Sequence, residues 1–363
     1  MSKIASFGRF LDQPILVAKF DKRVPLALAA AGTVFGVKET LKTSEGERKK
    51  FALKTAIIMS ATIFSAIKAP KIADLLIKRA GINQNKTSEA TSKFKSVLLQ
   101  NKEIVDEILE NSDKIDNETI KLLEKSKQGK ILSLTEVCEL RNTLSKENFN
   151  KLIPEPESVT SKDIFKEIGW LSIFGAVPVI GGIIGGIGAD YLTEKNWQKG
   201  IDNKIKEGIY QYLANIFMCN VGAGAALFTL EKFGIKSNAA RCIGMVTGII
   251  LTGVIGGSYI ANFIGNKIIN PLLSKNSHDE QRKPEIVDIG LHTDDIATVA
   301  VLSGLRWIEP ALPFLYTVSG YRAGIGYRNS ANPSHNSTQG DIDAQQYSKK
   351  FHTEKGKNFC TKC

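Results

Sequence analysis

Three long stretches without a charged residue dominate the second half of this chain. They cover residues 168–189, 208–230 and 242–266, which is 22, 23 and 25 residues. A helix rises about 1.5 Å per residue, so the shortest stretch would reach about 33 Å, and the hydrocarbon core of a bilayer is about 30 Å thick. The pattern therefore predicts membrane-spanning helices. A second interpretation stays open, because the central helices of a large soluble protein are also apolar on all sides.

Glycine is concentrated in these stretches, which hold 16 of the 31 glycines of the chain. Several glycines recur four residues apart, as in Gly181/Gly185, Gly182/Gly186, Gly244/Gly248 and Gly253/Gly257. In lipid such pairs let helix backbones approach closely, whereas in a soluble helix each glycine costs about 1 kcal/mol relative to alanine. We therefore expect a mainly α-helical fold built on a multi-pass, glycine-rich transmembrane bundle over residues 168–321. Self-association through the same glycine pairs is also open.

Two shorter apolar stretches lie near the N-terminus. Residues 24–37 and 55–67 hold 14 and 13 residues, and basic residues flank both of them. A helix of 14 residues reaches only about 21 Å, which is too short to cross a bilayer comfortably. We expect residues 1–78 to be a basic, membrane-associated region in which two short apolar helices lie at the surface or form a shallow hairpin. Two short core helices of a soluble protein are the alternative.

Residues 79–167 have a different pattern, with apolar residues at the three- and four-residue spacing of amphipathic helices. This pattern predicts helices near 92–112, 115–125 and 134–144. Ser133 with Glu136 fits a capping box that opens the last of these helices. The segment predicts a charged helical domain outside the bilayer. The chain then ends in a polar tail over residues 322–363, which we expect to be flexible.

A fourth apolar region, residues 296–321, is interrupted near its middle. Arg306 and Glu309 lie there and are followed by Pro310 and Pro313. Proline stops or kinks a helix, so two half-length helices are expected. Arg306 and Glu309 are three residues apart and can pair on one helical face, and charges at bilayer depth tend to serve a function. They are therefore candidate binding residues, although a pair that only fixes helix packing would have the same spacing.

Polar amides form a second candidate binding group. Asn262 and Asn266 follow Ser258 at a spacing of four residues, and Asn215 follows Gln211 in the same way. Residues four apart lie on one helical face, so each set predicts a polar stripe. Such stripes line solute paths, but they also link helices by hydrogen bonds.

Two weaker candidates for chemistry remain. His292, Asp294 and Asp295 lie in a loop and could act in acid–base catalysis, although the same residues suit a helix N-cap. Cys360 and Cys363 form a single CxxC pair without a second ligand pair, which is a weak metal signal. The sequence contains no Walker, GxSxG or HExxH motif. We therefore predict no cofactor and no metal site.

The net charge of +11 is located at the two ends of the chain. Residues 1–70 hold 12 basic and 5 acidic residues, and residues 322–363 hold 7 and 3. Basic segments beside membrane helices stay in the cytoplasm and attract anionic lipid, so both termini are predicted to be cytoplasmic. Nucleic-acid binding is not predicted, because no basic patch with interleaved aromatic residues occurs.

These patterns together predict an integral membrane protein that is not an enzyme. It would be either transporter-like or a scaffold that organises the membrane. One alternative is a membrane-bound enzyme that uses the 278–295 loop with Arg306 and Glu309. The other is a soluble protein that inserts into membranes as a pore former.

Overall fold

The computed structural model describes residues 3–79, 90–111, 115–154, 161–235, 238–273 and 310–326. Within these ranges the chain is helical and contains no strand. The helices are α1 (Lys3–Leu11), α2 (Pro14–Lys42), α3 (Arg48–Arg79), α4 (Ala90–Glu110), α5 (Asn117–Lys127), α6 (Leu134–Thr143), α7 (Lys146–Leu152), α8 (Ser161–Thr193), α9 (Ile201–Tyr212), α10 (Met218–Lys232), α11 (Asn238–Ile249), α12 (Ser258–Ile264), α13 (Asn270–Leu273) and α14 (Leu312–Ile325). The prediction of a mainly α-helical fold is therefore confirmed.

Five helical segments of the described residues are long and apolar enough to cross a membrane, by length and composition. They are Pro14–Lys42, Arg48–Arg79, Ile168–Thr193, Trp197–Lys232 and Ile243–Ile269. The last three contain the long uncharged stretches. The first two correct the expected lengths of the N-terminal helices, which were predicted to be too short to cross. Both helices continue through their charged flanks, because lysine, arginine and glutamate are good helix formers.

Helix α8 lies at the centre of the bundle, between α3 and α14. A methyl group added at Gly185 would overlap Ala61 of α3, and one at Gly182 would overlap the carbonyl oxygen of Gly320 on α14. The two glycine pairs of α8 therefore lie on two different contact faces. Gly182 and Gly186 of α8 meet Gly320 and Gly324 of α14, and both pairs are four residues apart. The two helices therefore run in the same direction with their backbones in direct contact.

The second half of the bundle contains irregular helix. A 3₁₀ turn, Trp197–Gly200, precedes α9, and π-helical segments occupy Leu213–Phe217, Ile250–Gly257 and Gly265–Ile269. The first two π segments pack against each other. Gly222 of α10 and Gly248 of α11 also meet so closely that a side chain at either position would overlap the other backbone. The sequence pattern predicted continuous helices here and did not reveal the π turns.

Helices α4–α7 surround a core of their own, which includes Ile108, Leu123, Leu140 and Phe149. The predicted helices of this segment are confirmed. The capping box is also confirmed, because the Ser133 hydroxyl accepts from the Glu136 amide and the Glu136 carboxylate accepts from the Ser133 amide. Hydrogen bonds from Lys125, followed by the bond from the Ser133 backbone, lower the pKa of Glu136. The position of this segment outside the bilayer remains a prediction.

Helix α1 joins the same segment from the N-terminus. Arg9 donates to Asn150 and lies over the ring of Phe149. The Gln13 side chain donates to the Leu132 carbonyl at 3.0 Å and accepts from the Leu132 amide at 2.9 Å. The start of α2 is therefore anchored to the α4–α7 core.

The C-terminal predictions are only partly covered by the described residues. Residues 296–309 of the interrupted region lie outside them, and its second half forms α14. The polar tail was expected to begin at residue 322, but Arg322 is buried in α14 and the helix ends at Ile325. The apolar contacts of Tyr316 and Ala323 hold this end of the helix against the bundle. The rest of the predicted tail is outside the described residues.

The close contact between α8 and α14 predicts opposite effects for two glycines of α8. Gly182→Ala should lower the free energy of unfolding by about 2 kcal/mol, because the new methyl group overlaps backbone. Gly188→Ala is the matched control, since a methyl group there meets nothing within 4 Å. It should raise that free energy by up to about 1 kcal/mol, because alanine is the better helix former. Unfolding of the purified variants in mixed micelles measures both values, and equal effects would contradict the contact.

Candidate functional site: a buried polar track beside helix α9

Five charged side chains meet where α3 begins, α8 ends and α9 begins. They are Lys50, Lys54, Asp190, Glu194 and Lys204, and we call them the charged cluster. Asp190 forms ion pairs with Lys204 and, at 2.7 Å, with Lys54. Asp190 and Lys204 are each only 4% exposed. Because isolated buried charges are very costly, these pairings are what allow the charges to lie inside the bundle.

The glycine contact between α8 and α14 makes room for Lys204. The Lys204 stem passes so close to Gly186 that an added methyl group would lie 2.8 Å from its Cε, and Gly326 lies against the same stem. A larger residue at Gly186 would push the lysine away from Asp190. Backbone packing and charge pairing therefore depend on each other at this junction.

Glu194 forms the outer edge of the charged cluster. Its carboxylate pairs with Lys50 at 2.8 Å and with Lys54 at 3.2 Å. Partial burial opposes ionisation of Glu194, but the hydrogen bonds and charges of the two lysines outweigh it and hold its pKa below the usual value. Glu194 is therefore an anion at neutral pH. Lys54 thus pairs with two carboxylates, those of Asp190 and Glu194.

A hydrogen-bonded line of polar side chains continues inward along α9. Gln211 donates through Nε2 to Oε1 of Glu207 at 2.8 Å, and Asn215 donates through Nδ2 to Oε1 of Gln211 at 2.9 Å. We call Glu207, Gln211 and Asn215 the polar ladder. All three side chains are buried, and Glu207 is fully so. This buried face of α9 therefore carries a carboxylate and two amides, whereas a face that only packs against other helices would carry apolar side chains.

The charged cluster and the polar ladder form one track. Lys204 precedes Glu207 by three residues, so the two lie on the same helical face. From Lys204 to Asn215 the helix rises about 16 Å, which is roughly half the thickness of the hydrocarbon core. The track ends in the π segment Leu213–Phe217. π turns inside helices are frequently found at functional sites.

The predicted stripe of Ser258, Asn262 and Asn266 lies on elements that contact α9 and the first π segment. The Ser258 hydroxyl is hydrogen-bonded to the Tyr210 hydroxyl at 2.9 Å. Asn262 and Asn266 are half-buried and both have interaction partners. The structure thus brings the two predicted amide stripes onto neighbouring elements. Their binding role remains a prediction.

The other predicted site residues lie outside the described residues. This applies to Arg306 and Glu309, to His292, Asp294 and Asp295, and to Cys360 and Cys363. Among the described residues, no group of three His, Cys, Asp or Glu side chains is placed to hold a metal ion.

The sequence pattern did not reveal most of the track, because the charged interval 190–207 between two apolar stretches is typical of a polar loop. Asp190 instead lies in the last turns of α8, and Lys204 and Glu207 lie in α9. A charge ends an apolar stretch in any hydropathy pattern, and nothing local distinguishes a solvated lysine from one that pairs across helices. The spacing of Glu207, Gln211 and Asn215 was the one available signal.

The buried pairing predicts a large cost for removing a single charge. Asp190→Asn should lower the free energy of unfolding by about 3 kcal/mol, because Lys204 remains buried without its anion. Lys204→Met in the same chain should restore much of that loss, since no buried cation then remains. Denaturant titration of the single and double variants in micelles tests this. A double variant that is less stable than Asp190→Asn would show that the pair is not the cause.

Comparisons with known proteins add no further assignment. No protein-family model matches this chain, and neither the curated proteins nor the solved structures contain a match.

Proposed function

We propose that this chain is an integral, multi-pass membrane protein that acts as a transporter and not as an enzyme. In this proposal the polar track is one half of a path for a small polar solute, from the charged cluster to the middle of the bundle. The observation that carries the proposal is the fully buried Glu207, hydrogen-bonded into a line with Gln211 and Asn215.

The exterior of the bundle supports a lipid environment. Large apolar side chains are exposed on every candidate span, among them Leu26, Phe64, Ile184, Phe228 and Ile243. Soluble monomers rarely expose contiguous apolar surface on this scale, because its contact with water is unfavourable. In hydrocarbon the same side chains are well solvated. This surface therefore favours an integral protein over a soluble pore former.

The polar track favours a transporter over a scaffold. A charged side chain at bilayer depth costs at least about 2.5 kcal/mol on insertion scales, and such residues typically mark ion or substrate pathways. A scaffold needs only apolar packing surfaces and has no use for a buried carboxylate beside two amides. The facing π segments fit the same proposal, because irregular helices near the midplane form the binding sites of many transporters.

The placement of the chain ends is part of the proposal. Basic ends attract anionic lipid and remain in the cytoplasm, which would put both termini on that side. Five crossings would leave the ends on opposite sides of the membrane. Helix α14 runs parallel to α8, the third of the five segments, so Ile325 also lies on the side away from the N-terminus. The proposal of two cytoplasmic termini therefore requires a further crossing by residues that follow Ile325.

Cysteine accessibility tests the path without knowledge of the solute. Asn215→Cys is introduced after the five native cysteines are replaced by alanine, and membranes are treated with a small, charged methanethiosulfonate. A solute path predicts that this thiol is modified, because water reaches Asn215 along the track. Ala69→Cys is the matched control, since Ala69 is equally buried but lies in an apolar contact, and it should stay unmodified.

Both thiols should react fully after denaturation in detergent, which establishes that the reagent is effective. Protection of both thiols in the membrane would contradict the proposed path and would favour a purely structural ladder.

A further inference from the structure

The polar ladder has a direction that Glu207 sets. An ionised carboxylate can only accept hydrogen bonds, so Gln211 must turn its amide nitrogen towards Glu207. The Gln211 oxygen then accepts from the Asn215 nitrogen. Asn215 is left with its Oδ1 on the side away from Glu207. The far end of the ladder thus presents an oxygen as long as Glu207 is ionised.

Protonation of Glu207 releases this constraint. A carboxylic acid carries an O–H group that can donate to the Gln211 oxygen. Gln211 and Asn215 can then both turn over, and Asn215 presents its nitrogen instead of its oxygen. One proton at Glu207 thereby selects between an acceptor and a donor at the other end of the ladder, two helical turns away.

An oxygen at the end of the ladder is suited to a metal cation. Asn220 lies five residues further along, in α10, and is a second buried amide, whose Oδ1 has no hydrogen-bond partner among the described residues. A divalent ion usually requires several carboxylates, and the described residues hold no such group. A ladder with one carboxylate and amide oxygens fits a small monovalent cation.

Helix α9 and the elements that pack against it carry other charged groups. Asp190 lies on α8, Arg322 on α14, Lys267 on the π segment Gly265–Ile269, and Lys204 and Lys206 on α9 itself. Their charges act on α9 in both states of the exchange.

We propose that the Glu207–Gln211–Asn215 ladder exchanges one proton for one monovalent metal cation. With Glu207 ionised, a cation binds beside the oxygen of Asn215. When Glu207 takes up a proton, the amides turn over and the cation leaves. The exchange is balanced, because one positive charge replaces another. This inference rests on the proposed transport function and specifies its substrate class.

Proteoliposomes test the exchange with Na⁺ as the probe. The full chain is reconstituted with pyranine inside, and the membrane potential is held at zero by valinomycin with equal K⁺ on both sides. Addition of Na⁺ outside should make the interior alkaline, because entering Na⁺ is exchanged for leaving protons. Choline at the same concentration should have no effect. Wild-type liposomes without a Na⁺-specific response would overturn the exchange.

Two variants connect the response to the ladder. Glu207→Gln keeps the shape and a hydrogen bond to Gln211 but cannot take up the proton, so the Na⁺ response should be lost. Asn215→Ala keeps the carboxylate and removes the oxygen, and it should also lose the response. Glu231→Gln is the control, because Glu231 pairs with Arg241 away from the ladder, and it should respond like the wild type. A response that persists in either ladder variant would overturn the exchange.

The two proposals fail separately. If Asn215→Cys is modified in the membrane but Na⁺ causes no response, the cation exchange is wrong and the transport path stands. If Asn215→Cys is protected, the transport path and the exchange are both overturned.

Discussion

The close approach of α8 to its neighbours is the constraint on which the rest of the bundle depends. Gly185 allows contact with α3, and Gly182 and Gly186 allow contact with α14. A side chain on either face would separate the helices. The same approach forms the space that the Lys204 stem occupies on its way to Asp190. Glycine at these positions therefore determines both the packing of three helices and the formation of the charged cluster.

The second constraint is the need to balance charge inside an apolar bundle. Asp190 lies between two lysines, and Glu194 also pairs with Lys54. Replacing buried ion pairs by apolar side chains is often neutral or stabilising, so stability alone does not account for such residues. Their continuation into Glu207, Gln211 and Asn215 is what gives them a functional interpretation. A packing contact would not need a carboxylate whose hydrogen bonds lead towards the middle of the bundle.

The sequence predicted the features that depend on local pattern. The long uncharged stretches, the amphipathic helices of residues 90–152 and the Ser133–Glu136 capping box all follow from residue spacing, and the structure contains each of them. The lengths of α2 and α3 were underestimated, because their charged flanks ended the apolar pattern while the helices continued. Asp190 and Lys204 were missed for a different reason. Their burial results from ion pairs between α3, α8 and α9. The spacing of residues along the sequence does not reveal contacts between residues that are far apart in the chain.

The central claim is that lipid surrounds the five candidate spans, Pro14–Lys42, Arg48–Arg79, Ile168–Thr193, Trp197–Lys232 and Ile243–Ile269. Membranes from cells that express the full chain are washed with alkaline carbonate, and the pellet and supernatant are analysed separately. The account predicts that the protein stays in the pellet and is released only by detergent, because the apolar exterior of its spans is solvated by hydrocarbon. Recovery in the carbonate supernatant, as a monodisperse particle without detergent, would contradict it.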